Sequence, residues 1–247
     1  METSPLGRAE WLRFYGLLVG QAQKGDSLFA QIEKEYLAVK ALAAKATFHP
    51  TVLSDLKYGS AWYIAGGQST TGCLYADAGA AYVFAALPNS GSVPMAFETV
   101  FDKGENADFW LIKYNQSHDK TYRELQKDYS LYARFKAFRE RRIYGCNTHR
   151  IPFYEESPFH PEVLLKDMVK IFHPELLEQL LTGYWKVFVL MGLGFLLHFC
   201  PDSWQNACSR GMVRLPLVAQ ALVMIALIYL VIQVKSSDIQ PFIYFQF

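Results

Sequence analysis

The chain has 247 residues, a formal net charge of +1, 51% hydrophobic and 19% charged residues. That length admits one large domain or two small ones, and a charge so near zero excludes a nucleic-acid footprint or an acidic-substrate trap. The cysteines Cys73, Cys146, Cys200 and Cys208 form no CxxC pair and have no histidine at zinc-finger spacing. Free thiols are therefore expected, with a Cys73–Cys146 or Cys200–Cys208 disulfide as the lesser alternative.

In chain order, Ser4 followed by Pro5 reads as a helix start, and Trp11, Phe14, Tyr15 and Leu18 then share one helical face. Residues 20–26 read as a break or a weak point in the helix. Asp26 or Ser27 can cap a second helix with an apolar face of Leu28, Phe29, Ile32, Tyr36 and Val39. Both helices bury one side and must pack on something else. From Thr51 the pattern changes: 52–56 and 60–64 are strand-like, Ser69 can cap a helix over 70–78, and Gly79 can end it. Strands are predicted at 82–85, 107–112 and 143–145, and helices at 96–103, 121–140 and 161–172. Such alternation implies an α/β fold with a mostly parallel or mixed sheet covered on both faces.

In such sheets ligands sit past the strand ends, which singles out three loops. In 63–69 (YIAGGQS) glycines let backbone approach a ligand ahead of a helix N-terminus; on spacing alone it reads equally as a plain turn. Residues 113–117 read first as a polar connector. Residues 147–156 (NTHRIPFYEE) could be a solvated loop, but Phe153 and Tyr154 would then be exposed. The basic run Arg134, Lys136, Arg139, Arg141 and Arg142 is interleaved with Phe135 and Phe138, as in a solvated face over a packed one rather than a nucleic-acid site. The histidines are dispersed, and no HExxH, Walker, Rossmann or Gly-x-Ser-x-Gly motif is present. Neither an enzyme nor a bound cofactor or metal is expected.

Five strings, METSPLGRAEW, VLSDLKYGSAWYIAGGQST, GSVPMAFETVFDKGENADFWLIKYN, ARFKAFRERRIYGCNT and PFYEESPFHPEVLLKDMVKIFHPEL, cover most of residues 1–178. They resemble the substrate-binding protein of an ABC importer of the iron-chelate or cobalamin type. The resemblance implies a clamshell of two α/β lobes joined by a long helix. This chain would begin with connecting helices (1–48) and hold the C-terminal lobe (49–178), without the N-terminal lobe or a signal peptide. It implies a cleft lined by Trp62, Tyr63, Gly67 and Ser69 from the first loop and by Asn147, Tyr154 and Glu155 from the third. Glu98 would dock onto arginines of an ABC permease, although by itself it reads as an ordinary surface acid. The implied ligand is an iron chelate, haem or corrinoid.

Residues 172–204 (FHPELLEQLLTGYWKVFVLMGLGFLLHFCPDSW) and 228–247 (IYLVIQVKSSDIQPFIYFQF) resemble instead the C-terminal end of a bacterial membrane-bound O-acyltransferase. Its catalytic histidine would lie upstream, and His198 is outside that motif, so acyl transfer is not carried over. Residues 215–234 are twenty residues without a charge, about enough to cross roughly 30 Å of hydrocarbon. Residues 179–201 are long enough too, with Lys186 able to snorkel. Together, 179–247 read as a two-helix transmembrane hairpin and tail in the lipid bilayer of the inner membrane, with the lobe periplasmic. Arg210 and Arg214 against Lys186 and Lys235 set no orientation. The shared text IFHPEL at the seam reads as the mark of a fusion between two truncated genes.

Overall fold

Ser4 turns the chain into its first helix: its Oγ accepts a hydrogen bond from the Gly7 amide (3.2 Å) and Pro5 fills the first turn. The computed structural model describes residues 2–176, 216 and 245–246. The chain divides into one unit of residues 1–176 with 242–247 and another of 177–241. The expected membrane hairpin lies outside the described residues, and among them no helix is long and apolar enough to cross a membrane.

Helix α1 (Pro5–Ala9) leads into α2 (Trp11–Leu18) and α3 (Ala22–Ala43). The second long helix starts four residues before Asp26, because the break is confined to a turn at Gly20, whose φ is 70°. Gly25 lies inside α3 for a packing reason. A Cβ there would stand 2.7 Å from the Leu12 carbonyl oxygen and 3.3 Å from the Gly16 Cα, so the bare glycines let α2 and α3 approach closely. Phe29, Ile32, Tyr36 and Ala43 are the buried large or apolar positions of α3, whereas Leu28 stays exposed. Trp11, Phe14 and Tyr15 are each about half exposed. The face of α2 that meets α3 is the one carrying Gly16, not the aromatic one.

The main sheet has the order β4-β1-β6-β7-β8. Its parallel strands are β1 (Thr51–Ser54), β4 (Ala81–Tyr82), β6 (Phe109–Tyr114) and β7 (Ile143–Asn147). Strand β8 (Phe245–Gln246) pairs antiparallel with β7, in a stretch for which the sequence reading gives only a tail. Side chains alternate along β6: Phe109 meets Phe172 on α9 (Pro161–Phe172) at 5.6 Å, while Trp110 meets Phe135 on the other face at 5.1 Å. The sheet is therefore covered on both faces, as expected.

Two features depart from the expected pattern. A separate antiparallel sheet joins β2 (Lys57–Tyr58), β3 (Ala61–Ala65) and β5 (Ser92–Met95). Pro94 hides β5 in the sequence, yet β5 pairs only with β3, and an edge strand tolerates proline. The expected helix 121–140 is instead α6 (Tyr122–Asp128), a 3₁₀ turn (Ser130–Arg134) and α7 (Lys136–Arg139). Tyr129 and Phe135 are extended, which sends the Phe135 ring into the core beside Trp62, Trp110 and Phe101. In the basic run, Arg134 lies 4.5 Å from the centre of the Phe101 ring, Arg142 5.7 Å from that of Phe109, and Lys136 pairs with Asp108 at 2.7 Å.

Candidate binding pocket

Past the carboxyl ends of β1 and β6 lies a pocket of about 740 Å³. Open α/β sheets place ligands at this end of their strands. Its walls include Asp55–Tyr58, Tyr63 on β3, Lys113–Gln116, the first turn of α4 (Thr70–Asp77), and Phe153, Tyr154, Ser157 and Pro158 around the short α8 (Phe153–Glu156), together with Arg8 and Lys120.

The backbone at the end of β1 sets the direction of its first charged wall residue. Asp55 takes φ 62°, which aspartate tolerates better than most residues. Its amide donates to the Leu111 carbonyl (2.8 Å) and its carbonyl accepts from the Trp110 indole (2.8 Å). Held from both sides, it places its carboxylate 2.6 Å from the Lys113 ammonium, each side chain about a fifth exposed. Lys113 also approaches the Phe153 ring at 5.9 Å. Lys120 pairs with Asp128 at 2.6 Å. Burial raises the Tyr114 phenol above its ordinary range, so it stays neutral and accepts from the Lys120 amide at 3.1 Å.

Two wall residues carry buried polar atoms with no hydrogen-bond partner, Thr70 Oγ1 and Gln116 Nε2. Native proteins leave few such groups, and both of these lie under the pocket wall rather than open to it.

Of the residues expected to line a cleft, Tyr63 and Tyr154 stand in the wall of this pocket, with relative exposures of 49% and 65%. Trp62 does not. It is fully buried, donates to the Ser54 carbonyl (3.1 Å) and stacks among Phe97, Trp110, Tyr132 and Phe135. The alternation of β3 sends Tyr63 outward and Trp62 inward. Gly67 is also committed to packing: its amide donates to the Leu87 carbonyl, and a Cβ on it would fall 2.0 Å from the Ala85 carbonyl oxygen. The Gly66 and Gln68 amides likewise go to Gly91 and Asn89, so this glycine loop docks on its neighbour rather than presenting open amides. Ser69 is nearly buried and caps α4, accepting from the Gly72 amide (3.1 Å) and donating to the Gly66 carbonyl (2.6 Å).

Asn147 is buried and works behind the wall. Its Oδ1 accepts from the amides of Gln116 (3.3 Å) and His149 (3.2 Å), and its Nδ2 donates to the carbonyls of Gln116 (2.9 Å) and His118 (3.1 Å). It thereby ties the loop after β7 to the loop after β6. Glu155 is exposed and outside the wall. Glu98 is exposed in the first turn of α5 (Phe97–Gly104). Sequence reasoning missed Asp55, Lys57, Tyr58, Lys120 and Arg8. The available signal for Lys113 was its place just past the strongest strand pattern, where it reads as a connector residue.

Comparison with known proteins agrees with this fold. A family model described as "Periplasmic binding protein" matches residues 1–148. An uncharacterised lipoprotein of Methanocaldococcus jannaschii is 24% identical over 180 residues, 71% of this chain but 41% of the relative, so the chain spans under half of that protein. A possible iron-binding (periplasmic solute-binding) protein of Staphylococcus epidermidis superposes with TM-score 0.55 at 15% identity, over 70% of this chain and 64% of that one. Haem-complexed IsdE of S. aureus gives 0.53 at 18%, over 69% and 66%. The chain belongs to the periplasmic binding protein family, a family of non-catalytic binders.

Proposed function

We propose that the chain is the ligand-binding component of an ABC importer for an iron chelate, haem or cobalamin-type corrinoid. The observation that carries this reading is the pocket past β1 and β6, with its exposed Tyr63 and Tyr154 and its charged wall residues Lys57, Lys113 and Asp55. An aromatic-lined pocket with a few placed polar groups is the usual form of a small-molecule site. Fold neighbours described as iron-binding and as a haem complex support the ligand class, and the family supports a permease as partner. In this reading the lobe is periplasmic and tethered at the inner membrane. A relative named as a lipoprotein supports tethering, and residues 179–247 would provide the contact with the bilayer. Glu98, exposed near the start of α5, is the residue to dock onto the permease, where a rim charge sets orientation and association rate more than affinity.

The test is thermal unfolding of the full-length chain with hemin, ferric siderophores or cyanocobalamin in excess. A ligand at a hundred times its Kd stabilises by about 2.7 kcal/mol, so the cognate class should raise the unfolding midpoint by several degrees. No shift with any class at millimolar concentration would sink the reading.

A further inference from the structure

We propose that the pocket selects anionic chelates, and that Asp55 is a built-in counter-ion which the ligand's own anionic group displaces from Lys113. The proposal rests on the pocket being the ligand site argued above.

The wall carries four cations, Arg8, Lys57, Lys113 and Lys120, against the single carboxylate of Asp55. Two of them, Lys113 and Lys120, pair with carboxylates, and Lys57 and Arg8 donate to backbone carbonyls. The Lys57 ammonium donates to the Gly59 carbonyl and lies 5.0 Å from the centre of the Tyr129 ring. Arg8 Nε donates to the Glu2 carbonyl at 3.1 Å. Lys120 has Asp128, which is half exposed and outside the wall. A surface so rich in donors and positive charge matches a ligand rich in acceptors and negative charge. Tyr58, Tyr63 and Tyr154, exposed by 82%, 49% and 65%, offer flat faces for unsaturated rings.

Asp55 is the exception in this set, and its geometry explains it. Left-handed backbone at a non-glycine residue is uncommon and tends to gather at ligand sites. Here two main-chain bonds hold that conformation and fix the carboxylate on Lys113. The pair keeps Lys113 placed and compensated within the pocket wall. An arriving carboxylate or catecholate can take over Lys113 and leave Asp55 facing solvent.

The experiment titrates the full-length chain with two anionic probes, a ferric tris-catecholate and hemin, and two uncharged ones, cyanocobalamin and a neutral ferric hydroxamate, at low and high salt. At least one anionic probe should bind roughly tenfold or more tighter than either neutral one, and should weaken as salt screens the wall. Lys113→Gln should weaken that probe roughly tenfold. Asp55→Asn should tighten it several-fold, because it removes the competing carboxylate. Asparagine keeps the left-handed backbone at little cost, so an unchanged unfolding midpoint separates this effect from misfolding. Neutral probes binding as well as anionic ones, or Asp55→Asn weakening the anionic probe, would overturn the charge selection while leaving the binding role intact. No binding by any probe would overturn both.

Discussion

Glu162 brings a carboxylate into the protein with one oxygen engaged. Its Oε1 lies 3.1 Å from His160 Nδ1, and its buried Oε2 has no partner. Burial, the largest influence, raises the carboxyl above its ordinary value of 4.5, and the His160 contact only partly offsets this. Because the folded value is raised, the stabilising protonated state is fully present below about 4.5 and is lost as pH rises through the higher folded value. Above the ordinary value the group therefore costs stability. Glu162→Gln should raise the melting temperature by about 2–4 °C near neutral pH, and the gain should vanish as the buffer is taken below the ordinary value. Equal gain at every pH would mean that the variant acts through packing. Asp108 behaves in the opposite sense. Burial works to raise it, but the Lys136 ammonium and the Thr51 amide and hydroxyl outweigh burial and hold it below 3.8. Its contribution is present at neutral pH and is lost only as pH falls through that lowered value.

At the scale of elements, the α2–α3 pair turns on its glycines. Gly25→Ala would set a methyl 2.7 Å from the Leu12 carbonyl oxygen, which is helix backbone and cannot swing aside. We expect a loss of about 1–3 kcal/mol, read from the urea midpoint at unchanged slope, whereas alanine inside a helix would otherwise gain about 0.5–1 kcal/mol over glycine. The same pair shows why the sequence misplaced the start of α3. Glycine in a helix-like run reads as a break when its packing partner is out of view. Helix starts marked by local chemistry, Ser4 before α1 and Ser69 before α4, were legible because the capping bond closes within three residues. Thr121 and Glu124 add a reciprocal capping box to the first turn of α6. Where that run ends was not legible. Tyr129 and Phe135 leave helical geometry for contacts with Phe97 and Trp110, far away in the chain. Strand β5 was hidden for a related reason, since its edge position, which makes Pro94 acceptable, is a property of the sheet and not of the segment.

For the molecule as a whole, the ligand-binding end of the sheet could be anticipated, but the roles of its residues could not. The three loops singled out by the strand pattern do converge, and Tyr63, Lys113 and Tyr154 from them meet at one pocket. Residue type did not reveal which side chains face the pocket and which hold it in place. Trp62 and Tyr63 are adjacent and of similar character, and only the pleat of β3 separates core from wall. Asn147 is the clearest case of a holding residue. Its amide makes four hydrogen bonds within 3.3 Å, three of them to the 116–118 backbone. Asn147→Ala would strand those buried groups, and each lost partner costs about 1–3 kcal/mol where water cannot reach. Part of that cost should be recovered by hydration as the loops part, leaving a net loss of about 2 kcal/mol. Because Gln116 also stands in the pocket wall, the same change should weaken ligand binding although Asn147 itself is outside the wall. Urea unfolding and ligand titration of one preparation of the variant test both effects together. Lower stability with unaltered affinity would show that the pocket keeps its shape without the tie between the loops after β6 and β7. A loss in both would show that the tie presents the Gln116 side of the wall to the ligand.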